Sequence, residues 1–229
     1  MYLIFLTLLY FFNNDSEEKI IEKVLKFSPP ELKIIVEDNY DKFKKGMEDG
    51  RRTNLKFEEL EKNIRSLCLH FKEKKPVEDF IYELGKLSIQ IVKNTYSLPM
   101  EEDRVFHHIK KDFPLYLEKK LGKFPVVFYG FSRELFRGDI KNYIEKESRD
   151  KKEYTNLLKY GYLKGDILLN RFNFDDRSNA FGVGQIITNK SFSLILNIWY
   201  YIWIRNGGRW VPLKPHQTNN KLWVLEYGY

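Results

Sequence analysis

The stretch FIYELGKLSIQIVKNTYSLP, residues 80–99, decides the fold. Its apolar residues Phe80, Ile81, Leu84, Leu87, Ile91 and Val92 recur at the three-and-four spacing that puts them on one face of a helix. Pro76 suits the first turn of such a helix and Pro99 closes the segment. An apolar face of this length has to be covered, so the rest of the chain is read for elements that can cover it.

Helical patterns dominate on both sides. From Asp15, DSEE offers a cap ahead of Ile20, Ile21, Val24 and Leu25, and Ser28-Pro29-Pro30-Glu31 starts a helix whose Leu32, Ile35, Val36, Tyr40 and Phe43 share a face as far as Gly46 to Gly50. A third helix is expected over about Leu55 to Phe71, with His70 capping its end or meeting water. Further helices are expected around His108 to Leu121, with Pro114 as a kink or a new start, and at 139–148 and 150–162. Residues 165–177 read as a loop. The last long element, 178–208, has the length and periodicity of a buried helix ending at Gly207-Gly208. The segment FPVVFYGF, 124–131, has strand composition, but no alternating partner is visible, so a buried irregular or helical connection is expected.

Composition narrows the class. With 229 residues, 43% hydrophobic and 16% aromatic, the chain is large enough for one well-packed domain. The net charge of +7 is uneven: Lys and Arg number 7 against 10 acids in residues 1–50, and 13 against 8 in residues 111–165. The later basic region could meet phosphate backbones or anionic lipid heads. One cysteine, Cys68, excludes an intrachain disulfide and a cysteine-cluster metal site, and reads as a small core residue. Residues 1–12, MYLIFLTLLYFF, are too short to span a bilayer, which needs about 20 residues, but match a signal-peptide core or a buried N-terminal helix.

The phrase LGKLS in the central stretch, followed by a proline, resembles the ligand helix of the zinc-dependent phospholipase C and fungal single-strand nuclease superfamily. That family's phrase runs approximately Leu-Gly-x-Leu-(Ala/Ser)-His-x-x-x-Asp. Here Leu84, Gly85, Leu87 and Ser88 match, while Ile89 stands at the histidine and Lys93 at the aspartate. FKKGMEDG, with Glu48 and Asp49, the PVVFYG stretch and Asn197-Ile198-Trp199 also resemble segments of these proteins, with Lys190 and Leu194 where a polar pair is expected. The resemblance implies an all-α domain and, in active members, a three-zinc phosphodiesterase site needing roughly nine donors. It also implies an N-terminal tryptophan serving the metals, and no Trp precedes Trp199. His108 and Asp112, four apart on one helical face, are the one ligand pair that survives, matching the family's His-x-x-x-Glu/Asp spacing. Their alternative reading is a capping histidine and a surface acid.

Four histidines are too few for a zinc cluster, His107 and His108 point to different faces, and Lys93 places positive charge where a dication would sit. There is no Gly-x-Ser-x-Gly, no phosphate-binding glycine loop and no His-Glu-x-x-His. AFGVG, 180–184, follows no strand and is no dinucleotide fingerprint. Asp175 and Asp176 could pair as hydrolase carboxylates or cap the helix beginning near Ser178.

The expectation is thus an all-α, single-domain protein of about eight helices. Residues 1–14 are assigned as a signal peptide or N-terminal anchor, 15–208 as the helical domain and 209–229, with His216, as an irregular tail. The expected function is a degenerate, non-catalytic relative acting as a binding or structural module, with no cofactor, outside the cytoplasm or membrane-tethered if residues 1–12 are a signal, and cytoplasmic if not. One alternative is a zinc-dependent phosphodiester hydrolase with a reduced site at His108 and Asp112. The other is a basic module binding nucleic acid or anionic lipid.

Overall fold

The central stretch lies in a 20-residue helix, Val77–Tyr96. In the computed structural model, which describes residues 14–53, 57–96, 103–147, 149–211, 213 and 222–224, the chain is mostly helical, as expected. The N-terminal apolar segment and His216 lie outside the described residues. The helices are α1 (Asn14–Phe27), α2 (Pro30–Asp38), α3 (Tyr40–Arg52), α4 (Phe57–Leu67), α5 (Val77–Tyr96), α6 (Arg104–Lys120), α7 (Arg133–Phe136), α8 (Ile140–Glu147), α9 (Lys151–Tyr162) and α10 (Asn179–Arg205).

Helix α10 is the centre. It is buried on nearly every side along most of its length, and α1, α4, α5, α6, α7 and α9 all pack on it. Ser178 caps its start by accepting from the Phe181 amide. At its far end Asn206 accepts from the Phe71 amide and donates to Leu67 O, tying α10 to the turn that leaves α4.

Helix α5 meets α3 along a seam of glycines. A Cβ on Gly46 would overlap Tyr82 O, one on Gly85 would overlap Phe43 O, and one on Gly50 would sit 2.7 Å from Lys86 O. The two backbones therefore touch directly. Gly46 and Gly50 are one turn apart on α3 and face Gly85 on α5, so each glycine in LGKLS and KKGMEDG answers a steric demand. The serine of the phrase is also used: Ser88 Oγ donates to Leu84 O at 2.7 Å and accepts from Trp199 Nε1 of α10 at 2.9 Å. The Trp199 ring meets Phe43 edge-on, so α3, α5 and α10 converge on one buried junction.

Three expectations are corrected. The helix expected from Ser28 as far as Gly46 to Gly50 is two helices, because Asn39 ends α2, its amide bonding Val36 O and its side chain Ile35 O, and the second, α3, runs through both glycines to Arg52. The loop expected at 165–177 contains β3 (Ile167–Leu168), antiparallel to β2 (Leu163–Lys164), followed by a 3-10 turn at Arg171–Asn173 capped by Asn170. Residues Val126–Phe128 do form a strand, β1, and pair in parallel with β4, Leu222–Val224, which lies in the segment expected to be irregular.

The other side of β1 explains how so short a strand is held. Asn189, Ser193 and Asn197, spaced by four on α10, accept from the amides of Val127, Tyr129 and Ser132. Asn197 also donates to Gly130 O and Ser193 to Val127 O. A polar stripe on a buried helix thus serves as the second edge of a sheet and satisfies backbone groups that burial would leave unpaired. Helix α6 runs through Pro114 without ending.

Candidate functional site

The positions that the resemblance marks for metal ligands lie where α1, α3 and α5 meet. Ile89 is fully buried beside Gly50. Lys93 reaches the end of α3, where its ammonium donates to Arg51 O at 2.6 Å and Thr53 O at 3.1 Å, capping carbonyls that the helix leaves unpaired. Burial pushes its pKa down, against the pull of Glu17.

Glu17 is the buried acid of this cluster. Its Oε2 accepts from Arg51 Nε at 2.6 Å, and Arg51 also reaches Glu18 at 3.3 Å. The other oxygen, Oε1, has no hydrogen-bond partner among the described residues. Desolvation pushes the Glu17 carboxyl up to about 7, outweighing the stabilisation of its charge by Arg51 and Lys93. No reading of the sequence singled out Glu17. The available signal was its position one helical turn before Ile20 and Ile21, on the inward face of α1.

His108 and Asp112 are both on α6 and both face the segment after α9. Asp112 is not the surface acid of the alternative reading but is buried. Its Oδ1 accepts from Arg171 Nη1 at 2.9 Å, and its Oδ2 from the Arg171 amide at 2.6 Å and from Tyr162 Oη at 3.0 Å. His108 is half-buried with its Nε2 2.8 Å from Leu169 O, and its ring lies against Tyr162. The pair fastens residues 169–171 along α6. Next to the Asp112 carboxylate the Tyr162 hydroxyl is driven well above the usual phenol range, chiefly by burial. Asp112→Asn is expected to cost about 1–2 kcal/mol of stability by weakening the charged contact with Arg171, as read in a denaturant titration.

The remaining candidates are spent elsewhere. His70 is buried, 2.8 Å from Pro76 O. Asp49 accepts from Tyr82 Oη, which with burial raises the Tyr82 hydroxyl to about 12, while Glu48 is exposed. Asp176 bridges Lys120 and Lys123, and Asp175 accepts from the Arg177 amide. Burial lifts the Cys68 thiol to about 12, which leaves little nucleophilic thiolate at neutral pH. Lys190 pairs with Asp150. A cleft of about 540 Å³ lies between α4 and α5, and side chains of both signs, including Lys75, Asp79, Glu83 and Lys86, line it.

Among the described residues no group of three or more His, Cys, Asp or Glu is placed to share a metal ion, and no helix is long and apolar enough to cross a membrane. No family model matches the chain, and no curated protein or solved structure matches it either.

Proposed function

We propose that this protein is a non-catalytic helical binding module, a degenerate relative of the phospholipase C and single-strand nuclease superfamily. The observation that carries this reading is Lys93: where active members hold an aspartate ligand, an ammonium caps the last carbonyls of α3. The neighbouring Ile89 has no donor and fills core volume. The retained part of the motif, Gly85 and Ser88, has purely packing and hydrogen-bonding work in the contacts with α3 and α10. His108 and Asp112, the surviving pair, direct their polar atoms at Leu169, Arg171 and Tyr162. The test is elemental analysis of the full chain purified without chelators. Less than one equivalent of zinc is expected, and two or more equivalents per chain would sink the reading.

A further inference from the structure

Helix α6 exposes five side chains, Arg104, His107, Lys111, Leu115 and Lys119, and the other members of the helix are at least half-buried. Successive members are three or four residues apart, so they form one ridge about 22 Å long. Three of the five, Arg104, Lys111 and Lys119, are cations, and none is acidic.

The segment that His108 and Asp112 fasten runs beside this ridge. Leu169 is held at His108 and Arg171 at Asp112, and Phe172 then lies against Lys119, whose ammonium is 5.5 Å from the ring centre. The Arg171 guanidinium stands 4.8 Å from the same ring. Phe172 nevertheless stays 73% exposed, and Leu115 is 45% exposed between Lys111 and Lys119. Ile167, 65% exposed at the start of β3, is two residues, about 7 Å of chain, from Leu169 at the His108 anchor. The acids nearby include Asp166 in the hairpin turn, Glu118 on the flank of α6, Asp103, which pairs with Lys159, Asp176, which pairs with Lys120 and Lys123, and the buried Asp112, which pairs with Arg171.

We propose that the α6 ridge with Phe172 is a docking surface for an anionic lipid bilayer. The cations match the negative headgroup layer, Phe172 and Leu115 stand among them, and Ile167 adds a third exposed apolar side chain on the adjoining hairpin. A polyphosphate chain would satisfy the cations equally well, and Phe172 would give a base one stacking face, but Leu115 and Ile167 would be left in water. The surface is separate from the interior positions of Ile89 and Lys93, and a chelator in the test keeps His108 and Asp112 on Leu169 and Arg171.

The test is co-sedimentation of the full chain, in the presence of chelator, with phosphatidylcholine vesicles containing about one third phosphatidylserine. Binding is expected at about 0.1 M salt, and it is expected to be lost on vesicles of phosphatidylcholine alone and to weaken steeply at higher salt. The double substitution Lys111→Gln and Lys119→Gln is expected to weaken binding by about 25-fold, from roughly fivefold per lysine. Phe172→Ser is expected to weaken it by about tenfold with a smaller change in salt dependence. The substituted side chains project into water, so an unaltered thermal midpoint checks that the variants are folded. Absent vesicle binding, binding indifferent to phosphatidylserine, folded variants that bind like the parent, or tighter binding to a single-stranded oligonucleotide than to vesicles would each overturn the proposal.

Discussion

Gly46→Ala is expected to lower the free energy of unfolding by about 3 kcal/mol, although alanine is the better helix former. The added methyl would meet the carbonyl oxygen of Tyr82, a backbone atom that no rotamer change can move. Relief requires α3 and α5 to part, and parting them loosens the Phe43 contact with Trp199 and the hydrogen bond from Trp199 to Ser88. Gly182, also helical, is the control. Nothing lies within 4 Å of a Cβ built there, so Gly182→Ala is expected to raise stability by up to about 1 kcal/mol. Equilibrium denaturation of the two variants gives opposite signs if the seam is as described. A loss below about 1 kcal/mol at Gly46 would mean that the helices separate easily.

The second large effect is a pH dependence set by Glu17. Its carboxyl titrates near 4.5 when solvated and at about 7 in the folded chain. Between those values the folded protein keeps a proton that the unfolded chain releases, so stability falls as pH rises through the window. Below about 4.5 both states are protonated and the slope vanishes, and above about 7 the loss is complete, at about 3 kcal/mol. The groups facing Glu17 are Arg51, Lys93 and Glu18. Burial also raises the Glu147 carboxyl. The informative quantity is therefore the difference between the parent and Glu17→Gln, measured by denaturant midpoints at pH 5 and pH 8. The variant is expected to lose most of the slope while keeping an acceptor for Arg51, and an unchanged slope would show that Glu17 is charged throughout.

What the sequence made legible follows from periodicity. The helices at α1, α4, α5, α8, α9 and α10 are announced by apolar residues three and four apart, and their ends by Ser178, Gly207 and the prolines around α5. Interactions between distant segments left weaker traces. Strand β1 lacks a visible strand partner because one of its edges meets amide and hydroxyl side chains of α10, and the other meets three residues near position 223. The spacing of Asn189, Ser193 and Asn197 was the clue, and it is a helical rather than a strand pattern. Asp112 sits among His108, Lys110 and Lys111, a setting that reads as surface, and its burial follows only from the return of Tyr162 and Arg171. In the same way Lys93 reads as a misplaced charge until the end of α3 is known to lie beneath it.

The glycine seam also bears on motion. Helices that interlock through side chains can slide or roll by small rotamer adjustments, but a contact of backbone on backbone has no such freedom. Helices α3 and α5 should therefore travel as one piece through any rearrangement that accompanies partner binding. Any hinge is then expected at the rim of this pair, in segments such as the Asn39 break or the turn after α4.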